Sequence, residues 1–189
     1  MTDGESLRRL LLERSVKRGS FVLASGQQSS YYIDCRLATM SAEGMALIGR
    51  MGWEAIQRAG WRPAAVGGLT MGADPVAYAI AAASFGSTAP MDAFSVRKEP
   101  KGHGTGRLIE GNFKPGDAVV VVEDVITSGG SARRALAAVE AAGGVVLGVL
   151  AVVDREEGGR AVLETDGHRV VTLTSASDLG LRNSAAFGG

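Results

Sequence analysis

The chain has 189 residues, enough for one domain with a sizeable core. Hydrophobic residues make up 46% and charged residues 21%, a balance that excludes a disordered chain. Twenty basic and twenty acidic residues cancel, which speaks against a surface that coats nucleic acid, and a lone Cys35 excludes an intrachain disulfide. Cys35 is then most simply a small packed residue. No signal peptide is expected at the N-terminus, and no apolar run reaches the ~18 residues that span a bilayer. A cytoplasmic location follows as an expectation.

In chain order, Leu7, Leu10, Leu11 and Val16 predict an amphipathic helix from Ser6 to Arg18, closing at Gly19. Phe21 to Gly26 and Ser29 to Asp34 read as two short strands around a polar turn. Ser41 to Ala59 is a second helix with Ser41 as N-cap. From Ala64 strands and helices alternate. A strand at Ala64 to Val66 runs into the glycine turn Gly67 to Ala73, and a helix spans Asp74 to Phe85. Met91 to Val96 is a strand, followed by a charged, glycine-rich loop to Leu108. Val119 to Val122 is a strand that suits burial on both faces, and Ala132 to Ala142 is helical. Val145 to Val153 is another apolar strand. A short helix and a strand at Val170 to Leu173 follow, with a closing turn at Ser177-Asp178-Leu179. Such alternation predicts an α/β domain with a mostly parallel sheet, whose ligands sit beyond the carboxyl ends of the strands. Four unusual segments fall there: Gly67 to Ala73, Arg97 to Arg107, Glu123 to Ser131, and Asp154-Arg155.

Glu123-Asp124-Val125-Ile126-Thr127-Ser128-Gly129-Gly130-Ser131 carries the chemistry. Its hydroxyls and glycines at a helix start form an anion cradle, and phosphate is the obvious anion. The loop lacks the spacing of a nucleoside-triphosphate P-loop and of a dinucleotide-binding turn. Two carboxylates would repel phosphate, yet they suit a sugar diol or a hydrated metal. A 5-phosphoribosyl ligand satisfies both halves; an ordinary strand-loop-helix with a polar turn is the plainer alternative. The loop Arg97-Lys98-Glu99-Pro100-Lys101-Gly102-His103-Gly104-Thr105-Gly106-Arg107 bears four fixed cations, one acid and alternating glycines. It reads as a lid that neutralises a polyphosphate and excludes water, or as a solvated surface loop. His103 can exchange a proton near neutrality or simply donate to pyrophosphate. Arg155 suits a planar carboxylate, or else an ion pair with Glu156 or Glu157. Neither zinc-ligand spacing nor a nucleophile elbow is present.

The run around Glu123-Asp124 resembles the phosphoribosyl pyrophosphate (PRPP) signature of type I phosphoribosyltransferases. The resemblance narrows to the orotate phosphoribosyltransferase family on four stretches: Phe21 to Asp34, Gly67 to Pro75, Arg97 to Gly104, and Ile109-Glu110-Gly111. It implies the type I phosphoribosyltransferase fold over residues 1–189, with residues 1–40 contributing a small hood and residues 60–175 the PRPP-binding core. It also implies transfer of the 5-phosphoribosyl group from PRPP to orotate, giving orotidine 5′-monophosphate and pyrophosphate in de novo pyrimidine synthesis. Arg97, Lys101 and His103 are implied as catalytic contacts to pyrophosphate, with Lys98 reaching a site shared across a homodimer. PRPP is implied to contact these four residues and Glu123, Asp124, Val125, Ile126, Thr127, Ser128, Gly129, Gly130 and Ser131. Tyr32, Ile33, Thr127 and Arg155 are implied around orotate. Mg²⁺ is expected, held mainly through PRPP and water. The chain departs from the family where many members carry lysine: it has Ala24 in the first motif and Met71-Gly72 in the glycine turn. The rival readings are a transferase acting on a purine or other base, and a non-catalytic nucleotide-sensing regulator.

Overall fold

The structure, a computed structural model, describes residues 1–22, 28–99 and 108–181. Six strands form the main sheet: β3 (Ala65–Leu69), β4 (Asp92–Val96), β5 (Ile109–Gly111), β6 (Ala118–Ile126), β7 (Val145–Asp154) and β8 (Val170–Ser175), in the order β5-β4-β3-β6-β7-β8. All neighbours are parallel except β5, which returns antiparallel on β4. Two strands, β1 (Val16–Val22) and β2 (Gln28–Ile33), make a separate antiparallel hairpin. The helices are α1 (Asp3–Arg14), α2 (Arg36–Thr39), α3 (Ala42–Arg58), α4 (Ala73–Ser84), α5 (Gly130–Ala141) and α6 (Gly159–Thr165). No helix among the described residues is long and apolar enough to cross a membrane.

Strand alternation divides the core. Val120 and Val122 face one layer with Leu7 of α1, Ile48 of α3 and Ile80 of α4. Val119 and Val121 face the other with Ala135 of α5 and Leu163 of α6. The valine run is thus buried on both sides, as its composition predicts.

Several boundaries differ from the sequence reading. The first helix begins at Asp3, because Thr2 and Glu5 form a reciprocal capping box, and it ends at Arg14. Val16 leaves the helix to pair with Ile33 across the hairpin. Residues 23–27, and with them the end of the expected Phe21–Gly26 strand, lie outside the described residues. The short α2 and the three-residue β5 were not expected as elements; β5 forms by pairing Ile109, Glu110 and Gly111 with Val96, Ser95 and Phe94. The acid pair lies inside β6 rather than after it, since Glu123 still pairs with Ala151.

The chain goes from β3 to β4 on one side, then crosses back to β6 on the other. The two crossovers leave a crevice at the carboxyl ends of β3 and β6.

Candidate active site

The phosphate cradle is built from the end of β6 and the start of α5. Glu123, Val125, Ile126, Thr127 and the turn to Ala132 line a small cavity of about 50 Å³. Gly129 holds φ +81°, a left-handed conformation that favours glycine, and it directly precedes the helix. The cradle rests on the start of α6, where the Gly159 N–H donates to the Thr127 carbonyl at 2.9 Å. A Cβ on Gly159 would approach that carbonyl oxygen to 2.3 Å, so bare backbone is required there. Sequence reasoning missed Gly159; the Gly158-Gly159 doublet is the signal that could have found it.

The two acids differ. Glu123 is buried, with Oε1 lacking a hydrogen-bond partner among the described residues. Burial, reinforced by the Asp124 charge, pushes its carboxyl up to about 8. Asp124 is also raised, chiefly by burial, while its Oδ1 accepts the Val125 N–H at 2.9 Å. Its carboxylate packs against the glycine turn, where a Cβ on Gly72 would lie 2.6 Å from Asp124 Oδ1. A side chain at Gly72 would therefore have to displace the Asp124 carboxylate. Met71, joined to Thr70 by a cis peptide, is exposed.

Arg155 emerges from β7 into a buried position, with its backbone N–H donating to Ile126 at 3.0 Å. Its guanidinium carbon sits 5.0 Å from the Tyr31 ring centroid, and Nη2 lies 2.7 Å from Glu157 Oε1. An ion pair with Glu157 therefore exists, but it is buried rather than a surface pair. Neither Nε nor Nη2 makes a well-aligned hydrogen bond among the described residues, and Nη2 is held by the charge of Glu157 alone.

The hairpin places Tyr31 and Ile33 inward and Tyr32 outward. Tyr32 is 39% exposed beside Phe21, whereas Ile33 packs in the core, where its side chain is unavailable to a ligand. Tyr31, not singled out from sequence, is the residue beneath Arg155. Only the strand's period of two, phased by a known inward partner, could have chosen between the tyrosines.

Arg97 begins the charged loop. Its N–H donates to the Leu108 carbonyl at 2.8 Å, and its Nε lies 3.2 Å from Glu110 Oε1. These contacts close the neck of the loop. The Lys98 carbonyl accepts from Arg134 Nη2 of α5 at 3.2 Å. Lys101, His103 and Ala24 lie outside the described residues. Among the described residues no group of three or more His, Cys, Asp or Glu side chains is gathered to hold a metal.

The phosphoribosyl transferase domain model matches residues 39–172. The chain is 47% identical over 182 residues to the orotate phosphoribosyltransferase of Aquifex aeolicus, covering 95% of this chain and 98% of that protein. It is 46% identical over 176 residues to the orotate phosphoribosyltransferase of Rhodopirellula baltica, covering 91% of each. Among solved structures, the orotate phosphoribosyltransferase of Mycobacterium tuberculosis in complex with PRPP superposes with a TM-score of 0.80 at 43% identity. The match covers 95% of this chain and all (100%) of that one.

Proposed function

This chain belongs to the phosphoribosyl transferase family, in its orotate branch, and on that premise we propose that it transfers the 5-phosphoribosyl group of PRPP to orotate. The products are orotidine 5′-monophosphate and pyrophosphate, a step of de novo pyrimidine nucleotide synthesis. The observation that carries the residue assignment is the convergence of cradle, acid pair, glycine turn and Arg155 at the carboxyl ends of β6, β3 and β7.

Thr127 to Ser131 hold the 5′-phosphate through backbone N–H groups and hydroxyls. Glu123 and Asp124 face the ribose diol; a protonated Glu123 both donates to and accepts from hydroxyls. The glycine turn Gly67 to Ala73 and the cations Arg97, Lys98 and Lys101, with His103, meet the pyrophosphate. Arg155 takes the orotate carboxylate, with Tyr32, the Ile33 backbone and Thr127 around the base. As the anomeric C–O bond breaks, positive charge grows on the ribose and negative charge on the leaving pyrophosphate. The orotate ring nitrogen then forms the new bond to that carbon, and its proton passes to the departing pyrophosphate or to water. No protein nucleophile is required, because positioning and cations on the leaving group lower the barrier.

The donors suit Mg²⁺: Asp124, whose Oδ1 accepts the Val125 N–H, and the buried Glu123, whose Oε1 has no hydrogen-bond partner among the described residues, offer hard oxygens of the kind this ion prefers. Asp124, with Glu123 when ionised, would hold it near the diol, and the ion would supply charge neutralisation on the polyphosphate. We also propose a homodimer. Its support is that Leu37 of α2, Met40 at the C-terminal cap of α2 and Tyr78 of α4, on helices in contact with each other, are 50%, 46% and 49% exposed. A cytoplasmic location is proposed with it, since a reducing compartment suits the free, buried Cys35.

The test is PRPP-dependent loss of orotate absorbance, with hypoxanthine, adenine and uracil as competing bases. Turnover of orotate alone is expected, and turnover of a purine without orotate would overturn the assignment. In the same assay Arg155→Ala should raise the orotate KM by roughly 10²-fold, as for loss of a charge-assisted contact. The PRPP KM should stay nearly unchanged.

A further inference from the structure

Asp74, the second residue of α4, joins a chain of hydrogen bonds to which the reaction so far assigns no role. Its Oδ2 accepts from Thr70 Oγ1 at 2.6 Å, and its Oδ1 accepts from Ser95 Oγ at 2.7 Å. The Tyr78 hydroxyl lies 2.9 Å from the same Ser95 Oγ. A serine hydroxyl has one proton, and here it points to Asp74, so Tyr78 must be the donor to Ser95. The directions are therefore fixed: Tyr78 to Ser95, Ser95 to Asp74, and Thr70 to Asp74 from the other side. A backbone bond runs beside this chain, from the Thr70 N–H to the Val96 carbonyl at 2.8 Å.

The position of these residues gives the network its meaning. Thr70 stands in the turn between β3 and α4, just after the strand glycines Gly67 and Gly68, and its neighbour Gly72 has no side chain with which to anchor that turn. Ser95 lies two residues before Arg97, at the strand end from which the charged loop departs. Asp74 thus ties two segments that approach the pyrophosphate from different strands. We propose that Asp74 is a positioning residue, which fixes the glycine turn against the root of the charged loop so that both present their contacts to pyrophosphate at a set separation. This rests on the assignment of pyrophosphate to that turn and loop. A carboxylate is suited to the task because both its oxygens accept. An asparagine of the same shape offers one acceptor and one amide donor, which cannot receive a hydroxyl proton.

The experiment is calorimetric titration of the full-length protein with PRPP, inorganic pyrophosphate and ribose 5-phosphate in the presence of Mg²⁺. Asp74→Asn and Ser95→Ala should each weaken PRPP and pyrophosphate about tenfold, and Tyr78→Phe about threefold, as for hydrogen bonds acting through a neighbour. Ribose 5-phosphate, which uses the cradle and the acid pair but carries no pyrophosphate, should bind within about twofold of wild type. A uniform loss across all three ligands would show a merely structural role and overturn the proposal, as would unchanged affinities. Should Asp74→Asn fail to fold, Ser95→Ala and Tyr78→Phe decide the question. None of the three ligands contains a base, so the result stands apart from whether orotate is the acceptor.

Discussion

Glu123 has a carboxyl group that burial, and then the charge of Asp124, push up to about 8 from the ordinary 4.5. Between those values the folded protein binds a proton that the unfolded chain releases. Stability therefore falls as pH rises through that window, by an amount on the order of a few kcal/mol, and levels off above it. The melting temperature of the ligand-free protein, followed from about pH 5 to 9, should decline accordingly. Glu123→Gln, which cannot ionise, should remove most of that slope; parallel curves for the two proteins would refute it. At this scale the sequence identified chemistry better than environment. It singled out Glu123 and Asp124 as a pair, but their difference arises from the pleat, which turns Glu123 inward and leaves Asp124 only half-buried. Likewise Arg155 was legible as a carboxylate grip at a strand end. That it lies over Tyr31, with Tyr32 pointing away, depends on which face of β2 meets the core.

The α3–α4 pair shows how close two elements can come when glycine lines the contact. A Cβ on Gly49 would stand 2.5 Å from the Ala79 carbonyl oxygen, and one on Gly52 would stand 2.6 Å from Ile80 Cδ1. The first obstacle is rigid backbone; the second is the Cγ1–Cδ1 arm of Ile80, a buried β-branched side chain that can shift where backbone cannot. Gly49→Ala should therefore cost about 1–3 kcal/mol from overpacking, outweighing the roughly 1 kcal/mol gained in helix propensity. Gly52→Ala should cost less than Gly49→Ala, because Ile80 can shift within the core whereas the Ala79 carbonyl cannot. Thermal melts of the two variants test this order, and a larger loss at Gly52 would contradict it. Strong periodic elements such as α3 and the valine strand were readable from the sequence because pattern and burial agree. The short ones were not: β5 and α2 have too few residues for a period and exist because neighbouring segments hold them. The start of α1 is written in Thr2 and Glu5, which carry the capping-box spacing ahead of the apolar stripe that begins at Leu7.

For the whole molecule, the contacting helices α2 and α4 leave a face at which Leu37, Tyr78 and, at the C-terminal cap of α2, Met40 are about half exposed. A second copy covering this face is the homodimer proposed above. Sedimentation equilibrium at micromolar concentration should give twice the chain mass of 19.5 kDa. Tyr78→Asp with Met40→Asp should shift it toward monomer, and a monomer in the unaltered protein would refute the proposed assembly. The sequence by itself determined the α/β alternation, the ribose-phosphate run, the cationic loop and the arginine grip, because each is written in residues adjacent along the chain. Only the tertiary structure decided that Gly72 packs against the Asp124 carboxylate, that Gly159 supports the cradle, and that Asp74 joins the glycine turn to the root of the loop. Those contacts join residues far apart in sequence and depend on strand order and register. Composition and local periodicity do not encode such distances. They are fixed when β3 packs between β4 and β6.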